Sequence, residues 1–122
     1  MSGYRDLDAW KEGIVLVELV YELSARLPTD ERFGLVQQMR RAAVSVPANV
    51  AEGHDRGATK EFSRFIGIAR GSLAELETHL EVALRLGMLD QAQIAAACAK
   101  CDQLGRILRG LRKSIDNKLA RV

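Results

Sequence analysis

A proline stands in the interior of what otherwise reads as a buried helix, in the segment Ser45-Val46-Pro47-Ala48-Asn49-Val50-Ala51-Glu52-Gly53. Proline lacks a backbone N–H, and its ring crowds the carbonyl four residues back, here that of Ala43, at a cost of about 3 kcal/mol in a helix interior. A chain that stays helical through this stretch must offset that cost by packing or by side-chain hydrogen bonds. At about 100° per residue, Arg41, Ser45, Asn49 and Glu52 fall within one quadrant of the helix. The pattern therefore predicts a kinked helix whose kink and polar stripe share one face.

The rest of the chain agrees with a helical reading. Only 5% of the residues are aromatic and two are proline, while apolar residues reach 48%, a balance that favours helices over sheets. A length of 122 residues suits a single domain spanning 1–122, with one core and a stability to which oligomer contacts contribute. The opening Met1-Ser2-Gly3-Tyr4-Arg5-Asp6 carries charge where a signal peptide needs an apolar run. No segment approaches the ~20 apolar residues of a membrane span, so a cytoplasmic protein is expected. Cys98 and Cys101 form a lone C-x-x-C, half of a tetrahedral zinc site, and are expected to be reduced packing thiols with no metal between them.

Hydrophobic periodicity divides the chain into four helices. The first covers residues 7–27, with Trp10, Ile14, Val17 and Tyr21 on one apolar stripe and Leu16, Val20, Leu23 and Leu27 on an adjoining one, a face wide enough to touch two surfaces. Pro28 ends it, and Thr29 offers an N-cap for a second helix over 30–51, with Phe33, Val36 and Met39 on its early apolar face and Gly53 as its C-cap. After the polar loop Gly53-His54-Asp55-Arg56-Gly57, Thr59 offers a cap for a third helix over 59–86. Along it Phe62, Phe65, Ile68, Ala69, Leu73, Leu76, Leu80 and Leu84 keep three-and-four spacing, and Gly67 and Gly71 leave room for a neighbouring backbone. Asp90 with Gln93 reads as a capping box for the last helix, where Ile94, Cys101, Leu108 and Ile115 recur every seven residues with Ala97, Leu104 and Leu111 between them. Four such stripes joined by short loops predict an all-α fold, an antiparallel up-and-down four-helix bundle with a proline-kinked second helix.

Two motifs carry a family resemblance: Gln38-Met39-Arg40-Arg41-Ala42-Ala43 running into residues 45–53, and Ile68-Ala69-Arg70-Gly71-Ser72-Leu73-Ala74-Glu75-Leu76-Glu77. With Tyr4-Arg5-Asp6-Leu7-Asp8-Ala9-Trp10, Leu27-Pro28 and Phe62-Ser63-Arg64-Phe65, they make the chain to about Leu111 resemble the bacterial four-helix-bundle family of ribosomal RNA intervening-sequence proteins. The resemblance implies a left-turning antiparallel bundle. Through a similar accessory protein of diversity-generating retroelements, it also implies a ring-shaped homopentamer. Family members are encoded within insertions in ribosomal RNA genes or as free-standing genes, and most have no established biochemical activity. The retroelement relative is a basic protein that engages a reverse transcriptase and binds nucleic acid, whereas this chain carries a net charge of only +2.

Two clusters are candidate sites. In the first, Arg41, Ser45, Pro47, Asn49 and Glu52 on helix two, with Ser72 and Glu75 on helix three, form an expected structural polar network in which Arg41 reaches a carboxylate such as Glu75, the alternative reading being a binding surface. In the second, Arg106, Arg109, Arg112, Lys113 and Lys118, with Arg121, face a single carboxylate, Asp116, beyond residue 102, leaving the remainder of the chain net acidic. Such a stripe complements the helix dipole, and it also suits phosphate contacts that release counterions. Base-stacking aromatics are missing from it, so nucleic-acid binding there is expected to be electrostatic and weakly selective.

An enzyme is not expected. Glu75 and His79 are four apart and have no second pair to build a di-iron centre, and His54 has no neighbouring nucleophile. The expected function is a non-enzymatic homo-oligomeric scaffold associated with RNA or a nucleoprotein, without cofactor, metal or small-molecule substrate. The alternative is a protein-interaction adaptor with no affinity for nucleic acid.

Overall fold

The computed structural model describes residues 3–121. Met1 and Ser2, part of the charged opening, and Val122 lie outside them. Four helices carry the fold: α1 Asp8–Ser24, α2 Leu35–Asp55, α3 Thr59–Arg85 and α4 Gln91–Ala120. Two short 3-10 turns, Tyr4–Asp6 and Thr29–Glu31, precede α1 and α2, and there is no strand among the described residues. Each helix packs on its neighbours in the chain and α1 closes against α4, the neighbour pattern of an up-and-down antiparallel bundle. Among the described residues no helix is long and apolar enough to cross a membrane.

The core is one cluster drawn from all four stripes. Leu16 and Val20 of α1, Met39, Val46 and Val50 of α2, Ile66, Leu76 and Leu80 of α3, and Leu104 and Leu108 of α4 are essentially inaccessible, each worth about 1.5–3 kcal/mol in burial. The seven-residue series Ile94, Cys101, Leu108 and Ile115 is buried throughout. On α1 only the second expected stripe is buried. Ile14 and Tyr21 stay 37% and 44% exposed, and Arg40 covers the Tyr21 ring at 4.5 Å. Ile68 on α3 is likewise exposed.

Helix ends depart from expectation in several places. α1 stops at Ser24 and Leu27 folds back into the core, because the residue before Pro28 is pushed out of helical geometry. α2 begins at Leu35, not at residue 30: Asp30 lies in the 3-10 turn, Thr29 makes no side-chain cap, and Glu31 Oε1 accepts from the Leu35 N–H at 3.3 Å. Phe33 falls outside the helix and is 76% exposed. Gly53 is no cap, since α2 runs on to Asp55. A Cβ at Gly53 would lie 2.5 Å from Phe65 Cβ, so glycine there lets α2 approach α3. Thr59 opens α3 without capping it; Ala58 is the N-cap residue. Gly87 at φ +72° ends α3, with its N–H bonded to Leu84 O and that of Met88 to Ala83 O, a Schellman arrangement. Asp90 and Gln93 make the reciprocal capping box at 2.8 and 2.9 Å.

Pro47 sits inside α2 and is buried. Its ring meets α1 at Gly13, where a Cβ would lie 3.0 Å from Pro47 Cβ, so the cost of the missing N–H is offset by ring burial against a glycine. The sequence pattern put Pro47 and the polar stripe on one face of the helix; in the structure they lie on different faces. The proline looks toward α1, whereas Ser45 hydrogen-bonds to Ser72 on α3.

Candidate nucleic-acid interface

Two contacts and a shared groove wall show how α3 and α4 run past each other. Ser63 Oγ donates to Asp116 Oδ1 at 2.5 Å, the Arg112 guanidinium rests against Gly67, where a Cβ would come within 2.8 Å of Nη1, and Glu77 lines the same groove as Cys101. As the α3 number falls, the α4 number rises, so the pair is antiparallel. Between them lies a half-open groove of about 410 Å³. Gly67, Gly71 and Gly105 line it together with four arginines, Arg70, Arg106, Arg109 and Arg112, while Glu77, Asp102 and Cys101 line its other end.

The arginines are held differently. Arg112 is half-buried, and its Nε reaches Ser63 Oγ at 3.5 Å, beside the Asp116 carboxylate that Ser63 engages. Arg70, Arg106 and Arg109 are exposed and make no ion pair or side-chain hydrogen bond among the described residues. Three guanidiniums without carboxylate partners along one groove form a concentrated positive field, with the planar donor forks that match phosphate oxygens. At the opposite end, burial first and the Glu77 charge second push the Cys101 thiol up to about 12. Burial also raises that of Cys98. Both cysteines are free thiols, and at neutral pH they stay protonated.

Of the basic residues read from the sequence, the structure thus brings Arg106, Arg109 and Arg112 together. Lys113 and Lys118 are exposed but do not line the groove. Arg70 is the residue that sequence reasoning missed. Its signal was its neighbours, for Gly67 and Gly71 flank it on α3. The spacing suggested that those glycines admit a neighbouring backbone, but they do not: Gly67 admits a guanidinium, and a Cβ at Gly71 would meet nothing within 4 Å.

The other candidate cluster is smaller than expected. Ser45 Oγ and Ser72 Oγ lie 2.8 Å apart, and Asn49 Nδ2 donates to Ser45 O at 2.8 Å and Ser45 Oγ at 2.9 Å. The carbonyl that Asn49 takes is Ser45's, not the Ala43 carbonyl stranded by Pro47. The expected Arg41–Glu75 pair does not form: Arg41 is exposed, Glu75 lies 3.8 Å from His79 Nε2, and Glu52 pairs with Arg56 at 2.7 Å. His79 is buried, with no hydrogen-bond partner for Nδ1. His54 stands edge-on to Phe62 at 5.5 Å. No three metal-binding side chains converge among the described residues.

Comparison with known families gives a match to the 23S rRNA-intervening sequence protein family over residues 5–110. No curated protein matches the chain.

Proposed function

The chain belongs to the 23S rRNA-intervening sequence protein family, and on that premise we propose that it is a non-enzymatic, homo-oligomeric scaffold of the cytoplasm that engages RNA through the groove between α3 and α4. The observation that carries this reading is the convergence of Arg70, Arg106, Arg109 and Arg112 on one groove, three of them with neither an ion pair nor a side-chain hydrogen bond among the described residues. A globular protein with a net charge of only +2 gains little from long-range attraction, so its affinity for a polyanion must come from such a local concentration. Repeated around a cyclic homopentamer, the oligomer implied by the family resemblance, one modest groove becomes several acting on a single RNA.

The test is RNA and duplex-DNA binding across salt concentration, with the solution mass measured in the same buffers. RNA affinity should fall linearly on log–log axes. The Arg106→Glu/Arg109→Glu variant should abolish binding, while Lys113→Glu, outside the groove, should lower the salt slope by no more than about one. A well-formed oligomer that binds no RNA at low salt would overturn the reading in favour of a protein-interaction adaptor.

A further inference from the structure

The groove carries two opposite chemistries, and the helix register sets them a fixed distance apart. Along α3, Glu77 lies seven residues beyond Arg70; along α4, Asp102 lies seven before Arg109. Seven residues are close to two turns, so each carboxylate shares a helix face with an arginine about 10 Å away along the axis. Because α3 and α4 are antiparallel, both displacements point the same way: carboxylates at the Cys101 end, guanidiniums toward Gly67. Asp102 also precedes Arg106 by four residues, the spacing and order that favour an ion pair on a helix. Yet neither Asp102 nor Glu77 makes an ion pair or hydrogen bond among the described residues. The groove presents acceptors at one end and cationic donors at the other, each unpaired by the other.

Between them the Arg109 guanidinium covers Gly105, where a Cβ would come within 3.2 Å of Nη1, and the space over Gly71 is left open. Glycine in a helix interior costs about 1 kcal/mol relative to alanine, and at Gly71 no neighbouring atom within 4 Å requires it. At about 410 Å³ the groove falls within the roughly 300–1,000 Å³ of small-ligand sites.

We infer that the groove holds one guanine nucleotide of an unpaired RNA strand, its phosphate on Arg70, Arg106 and Arg109 and the Watson–Crick edge of its base on the carboxylates of Glu77 and Asp102. This rests on the RNA-binding reading above and adds to it a base preference. Guanine alone among the four bases presents two adjacent donors on that edge, N1–H and N2–H, which one carboxylate accepts side by side. Adenine and cytosine place an acceptor nitrogen beside their amino group, and uracil flanks its single N–H with two carbonyls, so each sets a lone pair against the carboxylate. The strand must be unpaired, because a duplex hides this edge. The sugar and base pass over Gly71, beside Leu73, where a larger side chain would stand in the way, while the Arg109 guanidinium lies over Gly105, close enough to meet the phosphate.

The experiment is fluorescence anisotropy with labelled five-residue RNAs, uridine throughout except for a central G, A, C or U, against the wild-type protein and three folded variants. The central-G strand should bind about tenfold more tightly than the others. Glu77→Gln/Asp102→Asn should erase that preference without weakening the other three strands. Arg106→Glu/Arg109→Glu should lose all four. Gly71→Leu, which fills the groove and removes no charge, should also erase the preference, and circular dichroism verifies that each variant keeps its helices. Equal wild-type affinity for the four strands would overturn the guanine assignment and leave the RNA-binding reading standing. Free guanosine 5′-monophosphate binding more tightly than the central-G strand would overturn the assignment to RNA. Failure to bind any RNA, short or long, would overturn both readings.

Discussion

The two seams of this bundle use the same residue types to opposite ends. Where α2 packs on α1 and α3, glycines and polar groups are consumed within the chain: Gly13 receives the Pro47 ring, Gly53 receives Phe65, and Ser45, Asn49 and Ser72 satisfy one another. Between α3 and α4 two glycines lie under guanidiniums, Gly67 under Arg112 and Gly105 under Arg109, but Gly71 faces empty space, and Arg70, Arg106 and Arg109 are free of carboxylates among the described residues. A glycine or buried polar group says nothing about function until its neighbour is known. The closed seam accounts for its own irregularities by packing, whereas the open one leaves Gly71 uncovered and its charges unpaired.

The sharpest break of this contrast comes from the closed side. Gly53→Val should destabilise the protein by about 3 kcal/mol in urea denaturation, because a Cβ would stand 2.5 Å from Phe65 Cβ and only a backbone shift relieves it. A neutral result would mean that α2 and α3 are not locked together there. Next, Gly13→Ala should cost about 1–2 kcal/mol, and less by about 1 kcal/mol when Pro47→Ala has already removed the ring it strikes. A double-mutant cycle measures that coupling directly.

Cys101, beneath the acidic end of the open groove, gives a smaller and pH-dependent effect. Its thiol is raised from an ordinary 9.0 to about 12 in the folded protein, so the unfolded chain releases this proton first. The stability it contributes is complete below pH 9 and is lost as pH rises toward 12. By pH 10 the loss should reach about 1 kcal/mol, read as the difference between wild type and Cys101→Ala across an alkaline series of unfolding curves. A constant difference from pH 8 to 11 would remove the thiol from this account. The smallest effect has the opposite sign: Gly71→Ala should stabilise the fold by about 0.5–1 kcal/mol, since the added methyl meets nothing within 4 Å. Destabilisation there would show that the open groove is closed after all.

Much of the architecture was legible in the chain because it follows from local rules. The heptad series on α4, the Asp90–Gln93 capping box and the four-helix count come from spacing of three, four and seven residues, and the structure has them where the pattern put them. Helix starts were less legible, because the early apolar residues of the second segment gave a helical pattern to a stretch in which Phe33 is solvent-exposed. The basic end of α4 was visible as composition. Its sorting was not: Lys113 and Arg112 are adjacent in sequence, yet only Arg112 lines the groove.

What the sequence by itself determined is the set of helices, the apolar stripes that must be buried, and the placing of a proline and several glycines where a helix does not want them. Those follow from backbone geometry and side-chain periodicity, which act within a few turns. The tertiary structure alone decided what each anomaly is for. Whether Pro47 meets a glycine, whether Arg41 finds Glu75, and whether Arg70 joins Arg106 and Arg109 depend on the register and rotation of one helix against another, set by the packing of the whole core and written in no single segment.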